Sequence, residues 1–146
     1  MKAMKKLHKF SKNKIIKLLS IDSVFNIYTR TYMNYLIKKK SLKYIYILDF
    51  NNIGRLNYDI GFDKVNEKFR KILSVTKRKK YNKIYVGRFF SGDEIIIATN
   101  KKNISSLLLE LKNESKLEGM DFVYISCIND TGIQLEEKLK EIKKFK

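Results

Sequence analysis

The chain has 146 residues, 44% of them hydrophobic and 32% charged, which suits one folded domain with a single core and excludes wholesale disorder. A formal net charge of +17 favours anionic partners such as nucleotides, nucleic acids or acidic lipid headgroups. The one cysteine, Cys127, excludes an internal disulfide. No apolar run resembles a membrane span or a secretory signal, so we expect a cytoplasmic protein.

The first segment, Met1–Leu19, is rich in lysine and carries apolar residues at helical spacing. This pattern predicts a basic amphipathic helix, which either packs on its own domain or touches a membrane surface or a partner. Of these readings we favour packing on the domain. We therefore assign residues 1–21 to a basic helical segment and residues 22–146 to the main domain.

The next two elements are predicted as a helix and a strand. The helix begins near Asp22 or Ser23 and runs to about Lys39. The strand covers Lys43–Leu48, which is rich in β-branched and aromatic residues, and it ends at Asp49.

Helices and strands alternate in the rest of the chain. Residues 51–61 are expected to be irregular or partly helical. The patterns then predict helices over Phe62–Ser74, Ile104–Leu117 and Gln134–Phe145, strands over Lys83–Phe90, Glu94–Thr99 and Phe122–Cys127, and a basic loop over Thr76–Lys83. The short connection Ser91–Asp93 contains Gly and Asp, which indicates a hairpin.

This order of elements matches the split βαβ–βαβ arrangement of ferredoxin-like folds. The predicted fold class is α/β, an α+β sandwich in which helices flank a central, mostly antiparallel sheet. In this arrangement the first long strand lies beside the hairpin. Its end then approaches the hairpin turn, so that Asp49 and Asp93 converge.

Two carboxylates at one edge of a sheet suit Mg²⁺, which takes one or two of them and fills its other positions with water and substrate phosphates. Gly92 would let a triphosphate approach the main chain because glycine has no side chain in the way. Glu94 points away from Asp93 on a regular strand but toward the same site in a turn, and the sequence leaves both orientations open. By themselves, such residues are also common in turns and at strand ends that have no catalytic role.

A resemblance to a known family gives these residues a stronger meaning. The run Phe90–Ile95 (FSGDEI) resembles the signature of the GGDEF, or diguanylate cyclase, family. Further similar segments are Asp22–Arg30 (the opening motif), Ile47–Ile53 (the first strand), Asn57 with Gly61 (the same spacing) and Tyr124–Ser126 (the late strand). The similarity runs in one collinear order from Asp22 to the C-terminus. It implies a nucleotidyl cyclase fold of the Palm type.

The resemblance also implies roles for single residues. The catalytic residues would be Asp49, Asp93 and Glu94, and the metal ligands would be Asp49, the carbonyl of Phe50, and Asp93. The nucleotide-binding residues would be Asn52, Ile53, Asn57, Asn66, Ser91, Gly92, Lys140 and Lys144.

Two departures from the family pattern bear on the substrate. Asn66 aligns with the family's base-reading Asp, and an amide carries both a donor and an acceptor, so adenine becomes conceivable beside guanine. The segment Arg78–Tyr81 lacks the Asp of the family's Arg-x-x-Asp product-inhibition site. We therefore do not expect feedback inhibition by that route.

A second, more distant resemblance concerns Asn51–Arg55 (NNIGR), which is similar to the Asp-x-Ile-Gly stretch in the Palm domains of CRISPR polymerases, including minimal stand-alone forms. Those domains share the superfamily fold and make cyclic adenylates. The opening segment Asp22–Arg30 favours the GGDEF side.

The predicted function is a cyclic-dinucleotide synthase that uses Mg²⁺ or Mn²⁺ and acts as a homodimer on GTP, ATP or both. Its product would serve second-messenger signalling, with anti-phage defence as one setting and a regulatory protein as a further partner. The alternatives are an inactive nucleotide-binding regulatory module and a cyclic adenylate synthase of the minimal CRISPR-polymerase kind. A nucleic-acid binder is disfavoured because no such motif is present and the aromatic residues fit core positions.

Overall fold

A computed structural model of the chain describes Lys12, Ile16, residues 19–89 and residues 93–129. Its centre is a six-stranded sheet in the order β1-β2-β4-β5-β3-β6. The strands are β1 (Ile21–Asp22), β2 (Ile27–Tyr28), β3 (Tyr44–Phe50), β4 (Ile84–Arg88), β5 (Glu94–Thr99) and β6 (Phe122–Ile128). The helices are α1 (Arg30–Lys39), α2 (Ile53–Ile60), α3 (Phe62–Ser74) and α4 (Ser105–Leu117).

Strand β3 lies between β5 and β6 and pairs antiparallel with both. Strand β4 pairs antiparallel with β5, and β2 lies parallel to β4. The sheet is therefore mostly antiparallel, as predicted. The end of β3 and the start of β5 meet at the same edge, so the fold brings the predicted site residues together.

The sheet is covered on both faces. Successive side chains of a strand point to opposite faces, and Leu48 and Phe50 pack with α3 and α4 in one apolar cluster. Ile45 and Ile47 pack with α1 in a second cluster on the other face. Burial on both faces explains why β3 reads as a nearly continuous apolar run.

Helix α1 approaches β4 closely. A Cβ added at Gly87 would lie 2.1 Å from Cγ of Met33 and 2.9 Å from the main-chain oxygen of Tyr28. Only glycine fits between the helix and β2 at this point. The described helices include none that is long and apolar enough to cross a membrane.

The start of the domain differs from the prediction. Instead of a helix from Asp22, residues 21–28 form the antiparallel pair β1 and β2. Oδ2 of Asp22 accepts a hydrogen bond from the Phe25 N–H at 2.9 Å, and the main-chain carbonyl of Asp22 accepts one from the Asn26 N–H at 2.8 Å. Asn26 has a left-handed φ of 57°. These contacts form a turn in place of a first helical turn. Helix α1 begins only after Thr29, whose hydroxyl caps Tyr32 N–H at 3.3 Å.

Most other predicted elements are found with small shifts. The helix Phe62–Ser74 has the predicted bounds, and the two hairpin strands are present. Most of 51–61 is helical as α2, and the predicted basic loop contains two short 3-10 turns, Val75–Lys77 and Lys79–Tyr81. The predicted helix Gln134–Phe145 and most of the predicted helix Met1–Leu19 lie outside the described residues. The domain boundary at residues 21 and 22 stays a prediction.

Candidate active site

Two acidic residues lie opposite each other on neighbouring strands, at the end of β3 and at the start of β5. Asp49, near the end of β3, is directly opposite Glu94, the first residue of β5. Both are buried, with 1% of Asp49 and 5% of Glu94 exposed. Each is two residues from an isoleucine of the α1-side cluster, Ile47 and Ile96 respectively, so both carboxylates lie on that face.

Asp93 completes the group from the turn that precedes β5. One carboxylate oxygen from each of Asp49, Asp93 and Glu94 can be chosen so that all lie within 4.8 Å of one another. The main chain holds Asp93 and Glu94 at the end of the sheet, since Phe50 N–H donates to the Asp93 carbonyl at 3.3 Å and Phe89 N–H donates to the Glu94 carbonyl at 3.1 Å. Of the two orientations that the sequence left open for Glu94, the structure has the one that points into the site.

The electrostatics of this cluster favour a cation. Like charges placed directly opposite each other in an antiparallel pair are unfavourable, and burial of charged groups adds to the cost unless the charges are compensated. Two oxygens bound to one Mg²⁺, each at about 2.1 Å, lie at most about 4.2 Å apart. Small side-chain movements would therefore let these carboxylates share one ion or bridge two, and the donor set fits a hard divalent cation.

The segment after β3 leads directly into the N-terminus of α2. Asn52 has a left-handed φ of 58° and precedes α2, and its side chain makes no capping hydrogen bond. The first N–H groups of a helix lack partners within the helix and attract anions. A Cβ added at Gly54 would meet nothing within 4 Å, so this end of α2 is open. Ile53 is half-buried against the core.

The two predicted base-reading residues lie on adjacent helices. Asn57 is on α2 and Asn66 on α3, both half-buried, and the two helices pack together across Gly61. The Oδ1 atom of Asn57 is buried and accepts no hydrogen bond from the described residues. Gly61 has φ of +89°, a conformation that glycine adopts readily, and its N–H caps the Asn57 carbonyl at 2.9 Å.

Several predicted residues are not brought to the site by the described structure. Ser91, Gly92, Lys140 and Lys144 lie outside the described residues. The side chain of Phe50 is in the core, where its ring is 4.8 Å from that of Phe69, and the role of its carbonyl as a metal ligand stays a prediction.

The structure adds residues that the sequence argument did not single out. A groove of about 480 Å³ beside α2 is lined by Asn51 and Asn52 and also by the cations Arg55 and Lys116. Lys116 comes from the end of α4, a distance along the chain that no local motif signals. The acids Asp59 and Asp121 line the same groove, and Arg55 lies 3.9 Å from Asp59, so the groove carries charges of both signs.

A second addition is an ion pair behind the site. Arg88, the last residue of β4, lies 3.3 Å from both carboxylate oxygens of Asp22, and its guanidinium carbon is 4.2 Å from the centroid of the Phe25 ring. Both side chains are mostly buried. The opening turn is thereby fixed to the strand that leads into the candidate site.

Comparisons with known proteins bear on the fold of the chain. No family model matches the sequence, and no curated protein matches it. Solved structures do match. The coiled coil and GGDEF domain of DgcB from Caulobacter crescentus, in complex with c-di-GMP, has a TM-score of 0.72 at 12% identity, with 98% of this chain and 86% of that chain covered.

Two further solved structures have a similar fold. A diguanylate cyclase/phosphodiesterase from Caldicellulosiruptor saccharolyticus has a TM-score of 0.68 at 17% identity over 88% of this chain and 89% of the other. The GGDEF domain of FimX from Pseudomonas aeruginosa has a TM-score of 0.63 at 12% identity over 86% and 90%. At these identities the likeness establishes the fold, and the resemblance to CRISPR polymerases stays a prediction. The chain therefore has the nucleotidyl cyclase fold of GGDEF domains, in a form whose sequence has diverged.

Proposed function

We propose that the chain is a cyclic-dinucleotide synthase of the diguanylate cyclase type. The observation that carries this proposal is the cluster of Asp49, Asp93 and Glu94, with oxygens within 4.8 Å at the edge where β3 meets the β4–β5 turn. Three carboxylates grouped this closely match the oxygen ligands that a hard divalent cation takes in phosphate-handling sites. The GGDEF fold of the whole domain supports the same reaction class.

In the proposed reaction, the 3′-hydroxyl oxygen of one nucleoside triphosphate forms a bond to the α-phosphorus of a second. The bond from that phosphorus to the β-phosphate oxygen breaks, and pyrophosphate leaves. A second, reciprocal step closes the ring and releases another pyrophosphate. Mg²⁺ or Mn²⁺, held by Asp49, Asp93 and the Phe50 carbonyl, would supply charge neutralisation at the phosphates.

The chain's own groups have distinct tasks in this proposal. The N–H groups around Asn52 and Ile53 bind phosphate oxygens, and Ser91, Gly92, Lys140 and Lys144 add further phosphate contacts. We assign uptake of the hydroxyl proton to Glu94, which lies within the carboxylate cluster. Because one domain holds one triphosphate, the second is presented by another copy of the chain, which requires a homodimer.

The base is bound by Asn57 and Asn66 in this proposal. The buried Oδ1 of Asn57 is an acceptor suited to a purine exocyclic amine, which both adenine and guanine carry. An amide at position 66 donates as well as accepts, so it removes the strict preference that a carboxylate has for guanine N–H groups. We therefore expect turnover of ATP as well as GTP.

A regulatory protein partner belongs to the same proposal. The structure of the diguanylate cyclase SiaD from Pseudomonas aeruginosa was solved with its activator SiaC, at a TM-score of 0.64 to this chain and 11% identity. By analogy, we propose that an activator protein controls this chain as well.

The test is incubation of the purified chain with Mg²⁺ or Mn²⁺ and GTP, ATP or both, with products identified by mass spectrometry. We expect a cyclic dinucleotide as the product. Asp93→Asn should reduce the rate of its formation by at least about 100-fold, because the variant loses a ligand of the metal that would act on the phosphates. Asp63→Asn is the matched control, since Asp63 is an exposed acid on α3. Equal product from Asp93→Asn and the parent would overturn the assignment.

A second candidate function is a nucleotide-binding module without turnover, which the amide at Asn66 favours. It predicts saturable binding of a non-hydrolysable triphosphate analogue by calorimetry, with no product after long incubation. If neither binding nor product is found, both candidate functions fail.

A further inference from the structure

A surface outside the candidate active site combines exposed apolar side chains with lysines. It is a groove of about 600 Å³ to which Ile16 and Leu19 contribute beside residues of α1. We call this surface the N-terminal patch and define it by Ile16, Leu19, Tyr32, Tyr35, Lys39 and Lys40. Ile16 is 48% exposed, Leu19 68% and Tyr35 49%, which is unusual for large apolar residues grouped together.

The patch is held in place by the fold. Thr29, the residue that caps α1, donates its hydroxyl to the Leu19 carbonyl at 2.9 Å, and its N–H donates to the Ser20 carbonyl at 2.8 Å. The Tyr32 and Tyr35 rings lie 5.7 Å apart on one face of α1. The Lys39 ammonium is 5.4 Å from the Tyr35 ring centroid. Apolar groups and cations therefore occupy one continuous surface.

The sequence that contains the patch is strongly basic. Residues 1–43 contain twelve Lys or Arg and a single acidic residue, Asp22. Asp22 is already paired with Arg88. This first third of the sequence thus contributes +11 of the net +17. A sequence with this imbalance favours contact with an anionic surface.

We propose that the N-terminal patch binds the surface of an anionic lipid bilayer. Exposed aliphatic and tyrosine side chains enter the boundary between headgroups and acyl chains, while lysines contact the anionic headgroups. Single-stranded nucleic acid is the other polyanion to consider, but Ile16 and Leu19 give it nothing to stack on, and Lys39 lies over the Tyr35 ring. The aliphatic part of the patch decides between the two.

The lysine end of the patch and the carboxylate cluster lie at opposite ends of β4. The Lys40 ammonium is 5.5 Å from the ring centroid of Tyr85, near the start of β4. The carboxylate cluster lies beyond the other end of β4, where the end of β3 meets the start of β5. These lysines can therefore contact a bilayer at a distance from the acidic residues.

The absence of tryptophan from the sequence allows a direct test. Tyr35→Trp introduces one fluorophore into the patch, and Tyr58→Trp introduces one at an exposed position on α2 as the matched control. The full chain is titrated with vesicles of phosphatidylcholine, either alone or mixed with about 30 mol% phosphatidylglycerol, which gives the vesicles a negative surface potential. We expect a blue shift of emission only for Tyr35→Trp and only with the anionic vesicles.

Three variants separate apolar insertion from net charge. In vesicle sedimentation at about 0.15 M salt, Leu19→Ser should weaken partitioning several-fold, and Lys39→Gln with Lys40→Gln by tenfold or more. Lys64→Gln with Lys102→Gln removes the same charge from exposed positions elsewhere and should change partitioning less than threefold.

Three outcomes would overturn the proposal. The first is equal loss of binding in both double variants with no effect of Leu19→Ser, which would mean attraction by net charge alone. The second is no binding to anionic vesicles. The third is binding of a single-stranded oligonucleotide that the patch variants abolish while vesicle binding is absent, which would assign the surface to nucleic acid.

Discussion

Glu94 belongs both to the sheet and to the candidate site. Its backbone begins β5 and pairs with Asp49, while its side chain lies in a buried position beside that acid. The next pairs along both strands, Leu48 with Ile95 and Ile47 with Ile96, are buried aliphatics. The acidic pair is therefore confined to the ends of the two strands.

Replacing Glu94 by Gln should weaken the binding of a divalent cation to the folded domain, because it removes one carboxylate of the cluster. The change should therefore reduce the rise in Tm that Mn²⁺ produces in the parent, because a ligand that binds only the folded state stabilises it by an amount that grows with its affinity. Thermal unfolding with and without Mn²⁺ measures this difference.

Asp59→Asn is the control for this experiment, because Asp59 is an exposed acid on α2. It should leave the Mn²⁺ effect unchanged. A Glu94→Gln variant that still responds fully to Mn²⁺ would contradict the cation site.

The sequence anticipated the members of this cluster but not the orientation of Glu94. Asp49 follows an apolar strand and Asp93 follows a glycine, and the family resemblance linked them to Glu94. Strand alternation alone would send Glu94 and Asp93 to opposite faces. Asp93 instead belongs to the turn, and the path of a turn depends on contacts such as Phe50 N–H to the Asp93 carbonyl, which no sequence pattern encodes.

Among the elements, the long periodic ones were predictable and the short ones were not. Helix α3 has apolar residues at helical spacing over its whole length, and its bounds agree with the prediction. Strands β1 and β2 have two residues each, which is too short for alternation to show. The informative signals there were local ones: Asp22 and Asn26, which favour turns, and Thr29, which favours a helix N-cap.

The crossing of α1 over β4 gives a test of the fold at the level of elements. Gly87→Ala should destabilise the domain by about 1–3 kcal/mol, because the new Cβ meets the Met33 side chain and the Tyr28 main chain. Met33→Ala in the same molecule should recover part of the steric cost, so the two changes should be less than additive. Urea unfolding of the two single variants and the double variant measures this coupling.

Gly54→Ala is the control, since a Cβ there meets nothing and alanine favours the helix. It should be neutral or stabilising by up to about 1 kcal/mol. Strict additivity of the Gly87 and Met33 changes would mean that the helix and strand do not approach as described.

The molecule keeps a net charge of +17 after every acidic residue has been counted against a basic one. Several ion pairs of the described residues are exposed, such as Arg55 with Asp59, and exposed pairs contribute little. Repulsion among the remaining lysines should oppose the compact state. The fold therefore depends on its two apolar clusters more than on electrostatics.

We expect added NaCl to raise the stability of the domain. Screening between about 0.05 and 0.5 M shortens the range of repulsion to a few ångströms, and relief of about 1 kcal/mol would raise Tm by about 2–4 °C. Thermal unfolding in a NaCl series is the measurement. A steady fall of Tm with salt would instead mean that attractive ion pairs dominate.

The position of β3 between β5 and β6 has a consequence for how the chain folds. Asp49 pairs with Glu94, 45 residues later, and Phe50 pairs with Phe122, 72 residues later. On the ribosome, β3 therefore waits until most of the domain has been synthesised before it gains either neighbour. Such long-range pairing slows folding, and the waiting segment YIYIL is apolar and rich in β-formers. Until β5 and β6 have been synthesised, the unpaired β3 segment is therefore prone to aggregation.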